Sequence, residues 1–211
     1  MSTIHDKAVP AAVDLYWLPL GAGDNTHCVR TNGRIFEAIS ARRGHRAPQD
    51  LYHAALEIHL GGDRYTIEMT PSWGAGDQPI RGVVCEGPVG LRWLGHTRLF
   101  RYEVRRWRNG SIPDISEAVD SPQRLSSNVA QAALVLDLVP SFPTATWGRD
   151  ELGAGEMWNS NSLISWLVAR SGHDVAGLGP PANGRAPGWS AGLVVAARQD
   201  SSRSVVGTGA D

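Results

Sequence analysis

Lysine and cysteine are scarce in this chain, and long apolar runs are absent. Lys7 is the only lysine, and the formal net charge of −1 argues against a nucleic-acid-binding surface of the usual basic kind. The two cysteines, Cys28 and Cys85, lack CxxC or paired Cys/His spacing, so we predict small buried thiols rather than a disulfide. No apolar run approaches the roughly 20 residues of a membrane span, and no secretory signal opens the chain. We therefore predict a cytoplasmic protein without a membrane span.

The length of 211 residues is typical of one domain. We predict a flexible N-terminus over residues 1–12, one domain over 13–198 and a disordered tail over 199–211. Strand patterns come first, then two helix patterns, then one strand pattern. This order favours an α+β fold, with an antiparallel sheet packed against a few helices, over a doubly wound fold.

Apolar periodicity and turn residues place the individual elements. The predicted strands are 14–20, 27–31, 34–39 (joined to the previous one by a hairpin at Asn32-Gly33), 52–60, 64–69, 99–107 and 192–197. The predicted helices are 126–139 and a segment that begins near Ser160 and ends at Gly172, and residues 71–90 are predicted to form a Gly/Pro-rich loop.

The clearest strand pair joins residues 52–60 and 64–69 across Gly61-Gly62. A two-residue turn there would pair Leu60 with Asp63. His53 and Glu68 would then be diagonal neighbours on one face, within reach of a side-chain hydrogen bond. A carboxylate beside an imidazole fixes its tautomer and stabilises its protonated form, which suits proton transfer.

Two other interpretations of this hairpin stay open. One is that His53, Glu57, His59, Thr66 and Glu68 form only the solvated face of a half-exposed hairpin. The other is a metal site, since histidine and carboxylate bind zinc. Six residues of strand span roughly 20 Å, however, so one ion would not reach both histidines without a bulge. We predict no metal and no cofactor.

A candidate nucleophile lies where the second helix opens, in the segment Met157-Trp158-Asn159-Ser160-Asn161-Ser162. A helix N-terminus offers free N–H groups and a positive dipole end, which favour an oxyanion. Asn and Ser are also preferred cap residues, so a purely structural role stays open. Asn159 and Trp158 are predicted to contact substrate, although Trp158 equally suits a helix anchor.

These two segments resemble the circularly permuted NlpC-type papain-like superfamily, to which relatives of lecithin:retinol acyltransferase belong. The stretch from His53 through the glycine turn to Pro71 is similar to the histidine-bearing hairpin of that family. Asn159-Ser160 is similar to its later Asn-Cys helix opening, with serine in place of cysteine. The resemblance implies a papain-like permuted fold with His53 as base, Glu68 as its orienting partner and Ser160 at the nucleophile position.

The family implies amide, ester or acyl-transfer chemistry. We therefore predict a hydrolase or acyltransferase that acts on a small-molecule or peptide substrate. Serine does not ionise at neutral pH, so its proton must leave as attack occurs. A catalytically inactive relative that binds a small molecule or peptide, and an interaction protein without a cleft, are the alternatives.

Overall fold

The computed structural model describes residues 11–21, 37–72, 82–112 and 114–207, with side chains as far as residue 202. Seven strands are present in these ranges: β1 Ala12–Pro19, β2 Asp50–Leu60, β3 Asp63–Pro71, β4 Val83–Pro88, β5 Arg101–Arg108, β6 Val119–Ser126 and β7 Gly184–Arg185. Residues 37–43 are helical, and three further helices follow: α1 Val129–Leu138, α2 Ser160–Arg170 and α3 Trp189–Gly207.

The fold is α+β, as predicted. The strands lie in the order β4-β5-β3-β2-β1-β6 with antiparallel neighbours, and the short β7 pairs in parallel with the start of β2. Helices pack on one face, called the helical face here, where alternate β2 residues from Tyr52 to Ile58 meet α1, α2 and α3 in the main core. A smaller cluster on the second face contains Tyr16, Leu18, Ala55 and Ile112.

The β2–β3 hairpin forms as predicted, with Leu60 opposite Asp63. Gly61 and Gly62 have φ angles of 66° and 87°, a left-handed conformation in which side chains are strained. The pairing continues to Leu56 opposite Ile67. From Glu68 onward, β3 pairs only with β5 among the described residues. On that side of β2, residues 52–55 therefore have no neighbouring strand within the described ranges.

The helices predicted at 126–139 and from Ser160 are confirmed as α1 and α2. Asn128 caps α1 by accepting from the amides of Ala130 and Gln131, and Gly172 follows α2 with a φ of 75°. Ser126, the first residue of the predicted helix, belongs to β6 instead.

Several other predictions are wrong. The predicted strand 192–197 and the predicted disordered segment 199–207 are both part of α3, and residues 37–39 are helical rather than extended. The predicted loop 71–90 contains β4, and β6 was not anticipated. Cys85, in contrast, is the free thiol that we predicted, although it is half-buried rather than buried, and burial raises the pKa of this thiol to about 11. Cys28, the predicted strand 27–31 and the hairpin at Asn32-Gly33 lie outside the described residues.

Candidate functional site

The opening of α2 is fixed by its cap residue. The Asn159 side-chain oxygen accepts from the amides of Asn161 and Ser162, at 2.9 and 3.3 Å. The Ser162 hydroxyl accepts from the Asn159 amide at 3.1 Å, which completes a capping box, and donates to the Gly188 carbonyl at 2.8 Å. The amide of Leu163 donates to the Asn159 carbonyl. These bonds satisfy the donors of the first turn on either side of Ser160.

Ser160 differs from its neighbours in the first turn. It is the first residue of α2 and is half-buried. Within the described ranges, neither its hydroxyl nor its amide has a hydrogen-bond partner, so both groups remain available to a ligand. The amides of Asn161 and Ser162, which we expected to help bind an oxyanion, are instead occupied by Asn159.

Asn161 joins the start of α2 to the strand that carries His53. Its side-chain oxygen accepts from the Ala54 amide at 2.8 Å, and its side-chain nitrogen donates to the Tyr52 carbonyl at 3.0 Å. These are the backbone groups on the two sides of His53. The bonds fill the unpaired edge of β2, so the residue after Ser160 is locked against the backbone that flanks His53.

His53 itself projects from β2 on the opposite side from Tyr52 and Ala54. Its strand partner on β1 is Leu18, which is buried in the cluster on the second face. His53 is half-buried, and desolvation lowers the pKa of its imidazole to about 4. Among the described residues, no hydrogen bond joins the His53 ring to Ser160 or to Glu68. The Asn161 side chain thus ties the start of α2 to the backbone on both sides of His53, while within the described ranges the His53 ring has no side-chain bond to Ser160.

Asp114 is the carboxylate whose charge acts on His53. The negative charge of Asp114 partly counteracts the desolvation that lowers the His53 pKa. Asp114 lies between Ile112 and Ala118, which pack with Leu18 and Ala55 on the second face, and it begins a short 3-10 turn that lies against β1. Its φ of 56° is uncommon for a residue with a side chain.

Glu68, which we predicted to orient His53, is engaged elsewhere. It lies opposite Arg105 of β5, and its carboxylate accepts from the Arg105 guanidinium at 3.0 Å. The same guanidinium donates to Glu103 at 2.8 Å. The hairpin register was predicted correctly, but β2 and β3 part before Glu68 faces β2.

The interpretation of the hairpin's polar face as simply solvated is wrong. Glu57 is 8% exposed and Thr66 is fully buried, at 0%. The Glu57 carboxylate accepts a hydrogen bond from the His59 ring, with 2.9 Å between Oε1 and Nε2. The alternative of a metal site gains no support here, because no cluster of three or more potential ligands occurs within the described part of the chain.

Trp158 and Asn159, which we predicted to contact substrate, have structural contacts. Trp158 is 1% exposed, donates its indole N–H to the Pro143 carbonyl at 2.9 Å and stacks on Phe142 at a centroid distance of 4.9 Å. Asn159 is 8% exposed, caps α2 and donates to the Pro187 carbonyl at 2.8 Å. Trp158 is therefore the anchor that we considered as its alternative role.

The chain matches no protein-family model, no curated protein and no solved structure. The resemblance to the permuted papain-like superfamily therefore stays a prediction from the sequence. Function is inferred from the geometry of the site.

Two residues of the site were missed by sequence reasoning. In the sequence, Asn161 stands out only as part of the motif around Ser160, yet its side chain makes the link to β2. Its residue type is the one available signal, because a side-chain amide can donate to one backbone group and accept from another at the same time. Asp114 had no local signal, because its position beside His53 depends on a long-range fold-back of the chain.

Proposed function

We propose that the protein is a hydrolase or acyltransferase that acts on an amide or ester through Ser160 and His53. The observation that carries this proposal is the state of Ser160: a half-buried hydroxyl and amide without partners among the described residues, in a first turn where the neighbouring donors are satisfied. A polar pair of this kind at a helix N-terminus suits a nucleophile and an oxyanion donor.

In the proposed reaction, the Ser160 oxygen attacks the acyl carbon and its proton passes to the His53 ring, directly or through one bridging water. The carbonyl π electrons move onto oxygen, where the Ser160 amide donates a hydrogen bond. Collapse of this intermediate expels the leaving group, which takes the proton from His53 and leaves an ester on Ser160. Water or another acceptor then releases the acyl group by the reverse steps.

Asp114 replaces Glu68 as the carboxylate partner of His53 in this proposal. Its charge favours the imidazolium that forms during attack. Because the pKa of His53 is about 4, its ring is in the base form at neutral pH but is a weak base. General-base catalysis is most effective when the pKa lies near the working pH, so we expect slow turnover.

A second candidate function is ligand binding without turnover, as in the inactive papain-like relative that the sequence offers as an alternative. It is favoured by the occupied amides of Asn161 and Ser162, which leave the Ser160 amide as the one first-turn donor without a partner among the described residues. The ligand would be a small molecule or peptide that bonds to the hydroxyl and the amide of Ser160. Localisation in the cytoplasm belongs to both proposals.

Covalent labelling separates the two functions. A fluorophosphonate probe should add one adduct to the wild-type chain, located at Ser160 by peptide mass spectrometry. Ser160→Ala should lose the adduct, whereas Ser190→Ala, an exposed serine in α3, should keep it. His53→Gln should slow labelling by about 10²-fold or more. No labelling of the wild type, or labelling that survives Ser160→Ala, would reject the enzymatic proposal.

A further inference from the structure

The segment between β4 and β5 exposes an unusual concentration of apolar side chains. Two 3-10 helices, Arg92–His96 and Arg98–Phe100, form this segment, and neither has a buried residue. We define the apolar ridge as Leu91, Trp93, Leu99 and Phe100. Their exposed fractions are 41%, 68%, 59% and 36%. Leu91, Leu99 and Phe100 line one groove, and Trp93 lies between Leu91 and Leu99 along the chain. Isolated exposed apolar residues are ordinary, but apolar residues grouped in this way mark a contact surface.

The ridge is held by the body of the protein. The Val89 amide donates to the Phe100 carbonyl at 2.8 Å, and the Gly90 amide donates to the Trp147 carbonyl at 3.0 Å. The Arg149 guanidinium donates to the Gly90 carbonyl at 2.8 Å. A groove of about 430 Å³ runs beside the ridge, lined by Val89, Gly90, Leu94 and Arg149 in addition to ridge residues. The apolar side chains are thus presented on an anchored backbone.

The segment that carries the ridge is positively charged, whereas the whole chain has a net charge of −1. Residues 89–101 contain three arginines and a histidine and no carboxylate. Arg92 pairs with Glu151 at 2.6 Å and Arg101 pairs with Glu86 at 3.0 Å. Arg98 and Arg149 form no ion pair with any described residue, so two positive charges flank the ridge without a counter-charge.

We propose that the apolar ridge docks on the surface of an anionic phospholipid bilayer. Exposed Trp, Leu and Phe side chains are suited to the boundary between headgroups and acyl chains, and arginines beside them attract anionic headgroups. The most exposed member, Trp93, belongs to the residue type that prefers this boundary. The helices of the described ranges all lack the combination of length and apolarity needed to cross a bilayer.

Vesicle sedimentation tests this surface with the full chain. The wild type should sediment with vesicles of phosphatidylglycerol and phosphatidylcholine, and weakly with phosphatidylcholine alone. Trp93→Ala and Leu99→Ala should each lower the partition coefficient by about tenfold, because each removes apolar area from the contact. Arg98→Gln should lower it by about fivefold on anionic vesicles at low salt. Leu134→Ala, which alters a 42% exposed leucine on α1, should leave it unchanged.

Circular dichroism on each variant checks that the fold is retained, and Ser160→Ala should bind vesicles as the wild type does. Equal sedimentation of the ridge variants and the wild type would overturn the proposal. A second result would also overturn the proposal: the wild type does not bind vesicles but forms a dimer, seen by light scattering, and Trp93→Ala dissociates that dimer. In that case the ridge is a contact between two copies of the chain.

Discussion

The buried side chain of Asn161 makes three hydrogen bonds. Asn161 is 3% exposed. Its side-chain oxygen accepts from the Ala54 amide, and its side-chain nitrogen donates to the Tyr52 carbonyl and, at 2.9 Å, to the Pro187 carbonyl. Buried backbone groups that lose their partner cost about 1–3 kcal/mol each. The strand edge and the helix opening therefore depend on one amide group.

We predict that Asn161→Ala lowers the free energy of unfolding by about 3 kcal/mol, because the Ala54 amide and the Tyr52 carbonyl would be left buried without partners. The matched control is Asn128→Ala, which removes an exposed helix cap and should cost about 1 kcal/mol. Urea unfolding of both variants measures the difference. A loss at Asn161 no larger than that at Asn128 would show that the bridge to β2 is not maintained in solution.

His53 should make stability depend on pH. Its folded pKa of about 4 lies below the unfolded value of 6.5, so the unfolded chain binds more protons between these values. Stability from this group is complete above pH 6.5 and is lost as the pH falls toward 4. We predict that the wild type loses about 2 kcal/mol more than His53→Gln between pH 7 and pH 5. Urea unfolding at the two pH values checks this.

The ring of His53 can also be titrated directly by NMR. Asp114→Asn should lower the His53 pKa further, since it removes the charge that favours the imidazolium. Glu68→Gln should leave the His53 pKa unchanged, because Glu68 pairs with Arg105 instead. The reverse pattern, with a shift on Glu68→Gln alone, would restore Glu68 as the partner of His53.

The crossing of α2 and α3 shows how one glycine determines the approach of two elements. Gly192 of α3 lies against α2, and a Cβ at this position would overlap the Ser162 carbonyl and the Ser165 hydroxyl. Both contacts lie within the first six residues of α2, so this close approach supports the half of the helix that presents Ser160. The prediction of a strand at 192–197 was wrong for a different reason: a buried apolar helix and a buried strand have similar local sequence patterns.

We predict that Gly192→Ala lowers the free energy of unfolding by about 2–3 kcal/mol, because the helices must separate to admit the methyl group. Glycine to alanine in an unobstructed helix would instead stabilise by about 1 kcal/mol. Gly179→Ala, where the added atom meets open space, is the control and should change stability by about 0.5 kcal/mol or less. Thermal and urea unfolding of both variants measure the effect; a neutral Gly192→Ala would contradict the close packing.

At the scale of the whole molecule, locally encoded features were predictable and long-range ones were not. The β2–β3 hairpin follows from alternation and two glycines, and α2 follows from its cap residues. β4 and β6 were missed because they contain Gly87-Pro88 and Pro122. Both are edge strands of the sheet, where proline is tolerated since one side needs no ladder bonds.

The candidate site was predictable only in part for the same reason. Ser160 and His53 stand out in the sequence by position and residue type. The identity of the carboxylate near His53 depends on where β2 and β3 part. It also depends on the packing of Ile112 and of the turn after Asp114 against β1. Neither event leaves a local pattern, so the sequence pointed to Glu68 and the structure points to Asp114.

The most direct test of the central claim is the pH dependence of Ser160 acylation, followed by intact-mass spectrometry over the range in which the chain stays folded. If His53 removes the Ser160 proton, the rate should rise with pH along a limb whose midpoint is about 4 and then level off. His53→Gln should abolish that limb and lower the plateau. A limb near 6.5, or a rate that is the same in His53→Gln and the wild type, would contradict the account.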